Sequence, residues 1–134
     1  MLRPEQLPMM DTNSKLIISV GTLPDLLSLR EAVLTKAGYR VLNAFTEAEA
    51  LAKIYSGHCG VLLLCYSVDD ESRKQITRTF REVCPEGRIV SITNQPLKES
   101  PDADVVVYGA GSAEALIGAV RGDVTSDPPI KGAA

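Results

Sequence analysis

Cys65 closes the apolar run Val61-Leu62-Leu63-Leu64, and its thiol reads in one of two ways. It is a redox-active or nucleophilic group, or it is a small apolar filler, as buried cysteines at strand ends commonly are; the second reading is preferred. His58 is the single histidine, and the seven residues to Cys65 at about 3.3 Å each put the two more than ~20 Å apart, which excludes a Cys–His couple within one strand. Without a second histidine a zinc site is not expected either. Asp69, Asp70 and Glu71 could offer oxygen atoms to a hard cation, but they stand just ahead of a helical pattern, where a carboxylate caps the first turn. Gly109-Ala110-Gly111-Ser112 opens another helix after a strand, and its backbone N–H groups could hold an anion. A tight turn with Ser112 as N-cap is the preferred account, because the phosphate-loop lysine is missing. Arg73, Lys74, Arg78 and Arg81 alternate with Gln75, Thr77 and Thr79 and read as a solvated helix face, with no aromatic residues interleaved for base stacking.

These residues have to be positioned by an alternation of short apolar runs and longer stretches of helical period, the pattern of a parallel sheet covered on both faces. The first strand is Leu16 to Val20. Thr22, three residues ahead of Asp25, is a candidate N-cap for a helix running through Leu26, Leu29 and Val33 that Gly38 can end. Arg40 to Asn43 is the second strand, and Thr46-Glu47-Ala48-Glu49 supplies a capping box for a helix reaching Ser56. The third strand is Gly60 to Cys65. Asp69 or Asp70 caps a helix with the inward stripe Ile76, Phe80 and Val83, stopped by Pro85 and Gly87 before the fourth strand, Arg88 to Ile92. The fifth strand, Asp104 to Tyr108, leads into a last helix carrying Leu116, Ile117 and Val120. Thr93 to Ala103, the link between the fourth and fifth strands, has 11 residues and two prolines, so any helix there is a turn or two, or irregular.

A chain of 134 residues that is 45% apolar suits one domain with its own core, here residues 15–122 between flexible tails at 1–14 and 123–134. The net charge of −3 gives no field to draw in nucleic acid or an anionic membrane, and no apolar run approaches the ~18 residues of a span. Cys59, Cys65 and Cys84 are odd in number and lack C-x-x-C spacing, so they read as reduced thiols, and the cytoplasm is the expected location.

The segments Val20-Gly21-Thr22-Leu23-Pro24-Asp25-Leu26-Leu27, Ala37-Gly38-Tyr39-Arg40-Val41 and Glu47-Ala48-Glu49-Ala50-Leu51, in this order of elements, resemble the receiver domain of two-component response regulators over residues 15 to 121. The resemblance implies a flavodoxin-like doubly wound α/β sheet of order 2-1-3-4-5, with a site at the carboxyl ends of the strands. It also implies where phosphorylation chemistry would sit. Receivers carry two magnesium-binding acids after the first strand, where this chain has Gly21 and Thr22, and a phosphoaccepting aspartate at the place of Cys65. Their lysine after the fifth strand matches Gly109, and their aromatic reporter matches Val106; Thr93 alone keeps the family's hydroxyl.

The expectation is therefore a degenerate receiver, or pseudo-receiver. It would need no cofactor or metal, would not be an enzyme, and would signal through phosphorylation-independent contact with a protein partner or as a homodimer. Receivers dock through the face of their fourth helix, fifth strand and fifth helix, which here points to Val106, Tyr108, Ile117 and Arg121; Ile117 could equally be core. The alternatives are a phosphorelay regulator with displaced acids, a sensor of small anions or ligands in the emptied pocket, and a redox switch built on Cys65.

Overall fold

The computed structural model describes residues 16–94, 103–108 and 113–122. They form five strands, β1 (Leu16–Val20), β2 (Arg40–Ala44), β3 (Val61–Leu64), β4 (Arg88–Thr93) and β5 (Val105–Tyr108), and four helices, α1 (Pro24–Lys36), α2 (Glu47–Tyr55), α3 (Asp70–Val83) and α4 (Ala113–Arg121). All strand pairs are parallel, in the order β2-β1-β3-β4-β5, so the flavodoxin-like topology holds. Residues 1–15, 109–112 and 123–134 lie outside the described residues, and with them both tails and the Gly109 turn. The same is true of 95–102, most of the β4–β5 link, whose described flanks at Asn94, Ala103 and Asp104 carry no helix.

The alternation of side chains along each strand sorts the interior into two layers. Ile18, Val20, Leu62, Leu64 and Ile89 pack with Ala50 and Ile54 of α2 and Ile76 and Phe80 of α3. Ile17, Val61, Leu63, Val90, Ile92, Val105 and Val107 pack with Leu34 of α1 and Leu116, Ala119 and Val120 of α4. Every residue of β1 and β3 is buried, which is why both read as unbroken apolar runs.

Three local signals act as the residues suggest. Thr46 accepts from the Glu49 N–H at 3.1 Å while the Glu49 carboxylate accepts from the Phe45 N–H at 2.7 Å, closing the capping box one residue early. Asp69 caps α3 by accepting from the Ser72 N–H at 2.7 Å. Gly38, at φ 101°, provides the left-handed residue after α1.

Three readings are corrected. Leu23, not Thr22, stands at the N-cap of α1 with no side-chain cap bond, because Pro24 takes the first helical position, where its missing N–H costs nothing. The inward stripe of α1 is Leu27, Arg30 and Leu34, one residue on from the repeat through Leu26, and Leu29 is 61% exposed. Cys59 and Cys84 are not reduced thiols: they form a disulfide with Cα atoms 5.1 Å apart, and Cys65 is the free cysteine. The helix α3 returns the chain to the amino end of the sheet, so the residue after it meets the loop ahead of β3. The cysteine-based argument for a reducing compartment therefore falls away. Among the described residues no helix is long and apolar enough to cross a membrane.

Candidate functional site

The strand order reverses between β2-β1 and β3, and at that switch point the carboxyl ends of β1 and β3 bring Gly21 and Cys65 side by side. The Cys65 N–H donates to the Val20 carbonyl at 2.9 Å and the Gly21 N–H to the Ala44 carbonyl at 3.1 Å, so both residues extend the sheet. Gly21 is closely surrounded. A β-carbon there would lie 2.7 Å from Leu27 Cδ1, 2.8 Å from Cys65 Cβ and 3.3 Å from Ser67 Oγ. The volume an acidic side chain would need is already filled by α1 and by Cys65 itself.

Polar contacts tie the surrounding loops together. The Thr22 N–H donates to Ser67 Oγ at 2.9 Å. The Cys65 carbonyl accepts from the Val68 N–H and from Arg73 Nη2, each at 3.1 Å, and Arg73 Nη1 donates to Ser91 Oγ at 2.9 Å. Arg73 thus leaves the solvated face assigned to it and lies over β3 and β4; Arg81 bonds Asp104 at 3.0 Å, while Lys74 and Arg78 are exposed.

Cys65 is buried, and burial by itself pushes its thiol up. Hydrogen bonds from Ser67 and from the Arg30 guanidinium, the Ser67 backbone and the charge of Arg30 outweigh that and hold the thiol below its ordinary value. Arg30 and Ser67 were not among the residues singled out from the sequence. The available signal was spacing: Arg30 stands three residues after Leu27 and four before Leu34, on one helix face.

Between the loops after β1, β2 and β3 lies a groove of about 40 Å³, lined in part by Gly21, Thr22, Thr46, Glu47 and Asp69. It has room for about two or three water molecules. Thr46 and Asp69 are engaged in helix caps, and Glu47 accepts from Ser72 Oγ at 3.0 Å. A magnesium ion needs near-octahedral oxygen ligands, usually with one or two carboxylates. Gly21 and Cys65 supply no side-chain oxygen, Asp69 is committed to its cap, and among the described residues no group of three or more His, Cys, Asp and Glu side chains converges. The residues present do not fit this metal.

Of the other singled-out residues, Thr93 is buried at the end of β4, and Gly109 lies outside the described residues. His58 is half-buried with Nδ1 3.0 Å from the Lys53 carbonyl. Val106 and Tyr108, both half-buried, alternate with Val105 and Val107, whose side chains join the α1–α4 layer. Ile117 packs partly against that layer, and Arg121 is exposed. The four surround the β5 edge from both sides of the sheet.

No protein-family model matches the chain, and no curated protein matches it by sequence. Solved structures do. The response regulator TrrA of Thermotoga maritima, in complex with Mg²⁺-BeF, is 23% identical with a TM-score of 0.70, covering 82% of this chain and 99% of its own. A receiver domain protein of Methanospirillum hungatei gives 19% identity and a TM-score of 0.71 over 81% of this chain and 92% of its own. The chemotaxis protein CheY4 of Vibrio cholerae gives 18% and 0.69 over 81% and 98%. The fold of this chain is that of response regulator receiver domains.

Proposed function

We propose that the chain is a pseudo-receiver: a signalling module that acts in the cytoplasm through phosphorylation-independent contact with a protein partner, and not an enzyme. The packing at Gly21 carries this reading. Leu27 and Cys65 occupy the space that a metal-binding acid would need, and the residue in the phosphoacceptor's place is a thiol, which cannot form an acyl phosphate. A chain with neither carboxylate has no means of gripping magnesium or of storing a phosphoryl group, so its output is a contact rather than a reaction. The surface around β5 that includes Val106, Tyr108, Ile117 and Arg121 is where we place that contact, with a partner or with a second copy. Glu47 and Asp69 at the groove argue against an anion sensor there, since their charge repels one.

Incubation with acetyl phosphate, or with beryllofluoride, in the presence of Mg²⁺ tests the reading. Neither the intact mass nor the amide spectrum of the protein should change. A stoichiometric aspartyl adduct would overturn the proposal in favour of a phosphorelay regulator with displaced acids.

A further inference from the structure

Among the described residues, α1, α2 and α4 each end on a left-handed glycine: Gly38 at φ 101°, Gly57 at φ 93° and Gly122 at φ 95°. Such a turn brings N–H groups back to the last carbonyls of a helix. The end of α3 is built differently. Its C-cap is Cys84, whose N–H donates to the Phe80 carbonyl at 2.7 Å, and Pro85 behind it has no N–H to offer. The bond from Cys84 to Cys59 closes this end instead, by tying it to the loop ahead of β3. The same last turn of α3 also holds β5. Arg81, three residues before Cys84, donates to Asp104 Oδ1 at 3.0 Å. Asp104 takes the Ile89 N–H on Oδ2, gives its own N–H to the Ile89 carbonyl, and immediately precedes Val105, the first residue of β5. The crosslink thus stands one helical turn from the contact that fixes the start of the strand carrying Val106 and Tyr108.

We propose that Cys59 and Cys84 are a reversible redox couple whose reduction by a dithiol frees the last turn of α3 and, through Arg81 and Asp104, loosens β5. This rests on the function proposed above: a module working in the cytoplasm holds a crosslink only transiently, as a redox sensor does, and the strand that loosens is the one bearing its contact surface. One thiolate of the reductant attacks the sulfur of Cys59, which is half-buried, rather than that of Cys84, which is 1% exposed. The S–S bond of the protein breaks as a mixed disulfide forms, and the electron pair leaves on the Cys84 sulfur, which takes up a proton. The second thiolate of the reductant then displaces Cys59, which is protonated in turn. The protein gains two electrons and two protons, and the reductant departs as a disulfide. Cys65 takes no part, because it follows β3 whereas Cys59 precedes it, so the two lie at opposite ends of the sheet.

Amide hydrogen exchange on the intact chain, with and without dithiothreitol, tests the proposal. Thiol titration after unfolding should first count one free cysteine in the oxidised protein and three in the reduced. In the folded, reduced protein the amides of Val105–Tyr108 should exchange about twofold to fivefold faster, the scale set by an ion pair whose partners are both 39% exposed. Cys59→Ala should show the faster exchange with or without dithiothreitol. Arg81→Met, a change at a part-exposed position that leaves the crosslink intact, should show it before reduction and gain little from reduction. Three free cysteines before reduction, β5 amides that exchange equally in both states, or an undiminished response in Arg81→Met would each overturn the proposal. The response to acetyl phosphate is independent of all three, so failure here is separate from failure of the pseudo-receiver reading.

Discussion

Gly21 holds its place because its neighbours already fill the volume a side chain would occupy. Contacts of 2.7 and 2.8 Å to a β-carbon are shorter than packed carbon atoms tolerate, so Gly21→Asp must displace Leu27 or Cys65 and also seat a carboxylate against apolar atoms. The expected loss is about 1–3 kcal/mol, read as a lower urea midpoint at unchanged slope. The same crowding means that Cys65→Asp alone should not make the chain accept phosphate from acetyl phosphate, since the acids that would bind magnesium beside it are still missing. A mass gain of one phosphoryl group in that variant would count against the packing argument. At this scale the chemistry removed was legible in the sequence, because Gly21 and Cys65 announce themselves as residue types. The chemistry added was not: Arg73 reads as one cation of a solvated helix face until α3 is docked, and only docking turns it toward the Cys65 carbonyl.

The elements carry a second kind of information, in how βα units return the chain. Cys59 precedes β3 and Cys84 follows α3, so a parallel crossover brings them to the same end of the sheet although 25 residues separate them. Counting cysteines cannot reveal that; following one βα unit to its end could have. A crosslink over this span restricts the unfolded chain by about 3.5 kcal/mol in the loop-entropy account. Reduction should therefore lower the urea midpoint by a corresponding amount, and Cys59→Ala should show the lower value whether or not reductant is present. Equal midpoints for the reduced and oxidised protein would rule the crosslink out as a stabilising element. Element identities and most ends were legible because caps and turns are local: Thr46 with Glu49, Asp69 with Ser72, and Gly38 all act within a few residues. The facing of α1 was not, because apolar residues at positions 26, 27, 29, 33 and 34 support two stripes, and the surface the helix meets decides between them.

For the molecule as a whole, parallel sheets bury their middle strands and leave two edges to be secured by other means, and the edges differ here. β1, β3 and β4 are almost wholly buried, whereas β2 and β5 are only partly so. The β5 edge is tied in at its start by Asp104. Its N–H donates to the Ile89 carbonyl at 2.8 Å, one carboxylate oxygen accepts from the Ile89 N–H at 2.8 Å, and the other accepts from Arg81 Nη2 of α3 at 3.0 Å. Partial burial pushes this carboxyl up, but the Ile89 N–H, the bond and charge of Arg81 and the charge of Arg88 more than offset it, so Asp104 sits below its ordinary value. A carboxyl lowered in the folded state favours folding at pH above its unfolded value, about 3.9, and that contribution fades as the pH falls through the folded value. With both partners 39% exposed the effect is modest and screened by salt. Asp104→Asn keeps an oxygen for the Ile89 N–H and removes the charge. Its deficit in urea midpoint against the wild type should be largest near neutral pH and should close in acid as the pH falls through the lowered folded value, where the wild-type carboxylate is protonated as well. If the deficit is the same at both pH values, Asp104 secures the edge by hydrogen-bond geometry alone and its charge contributes nothing.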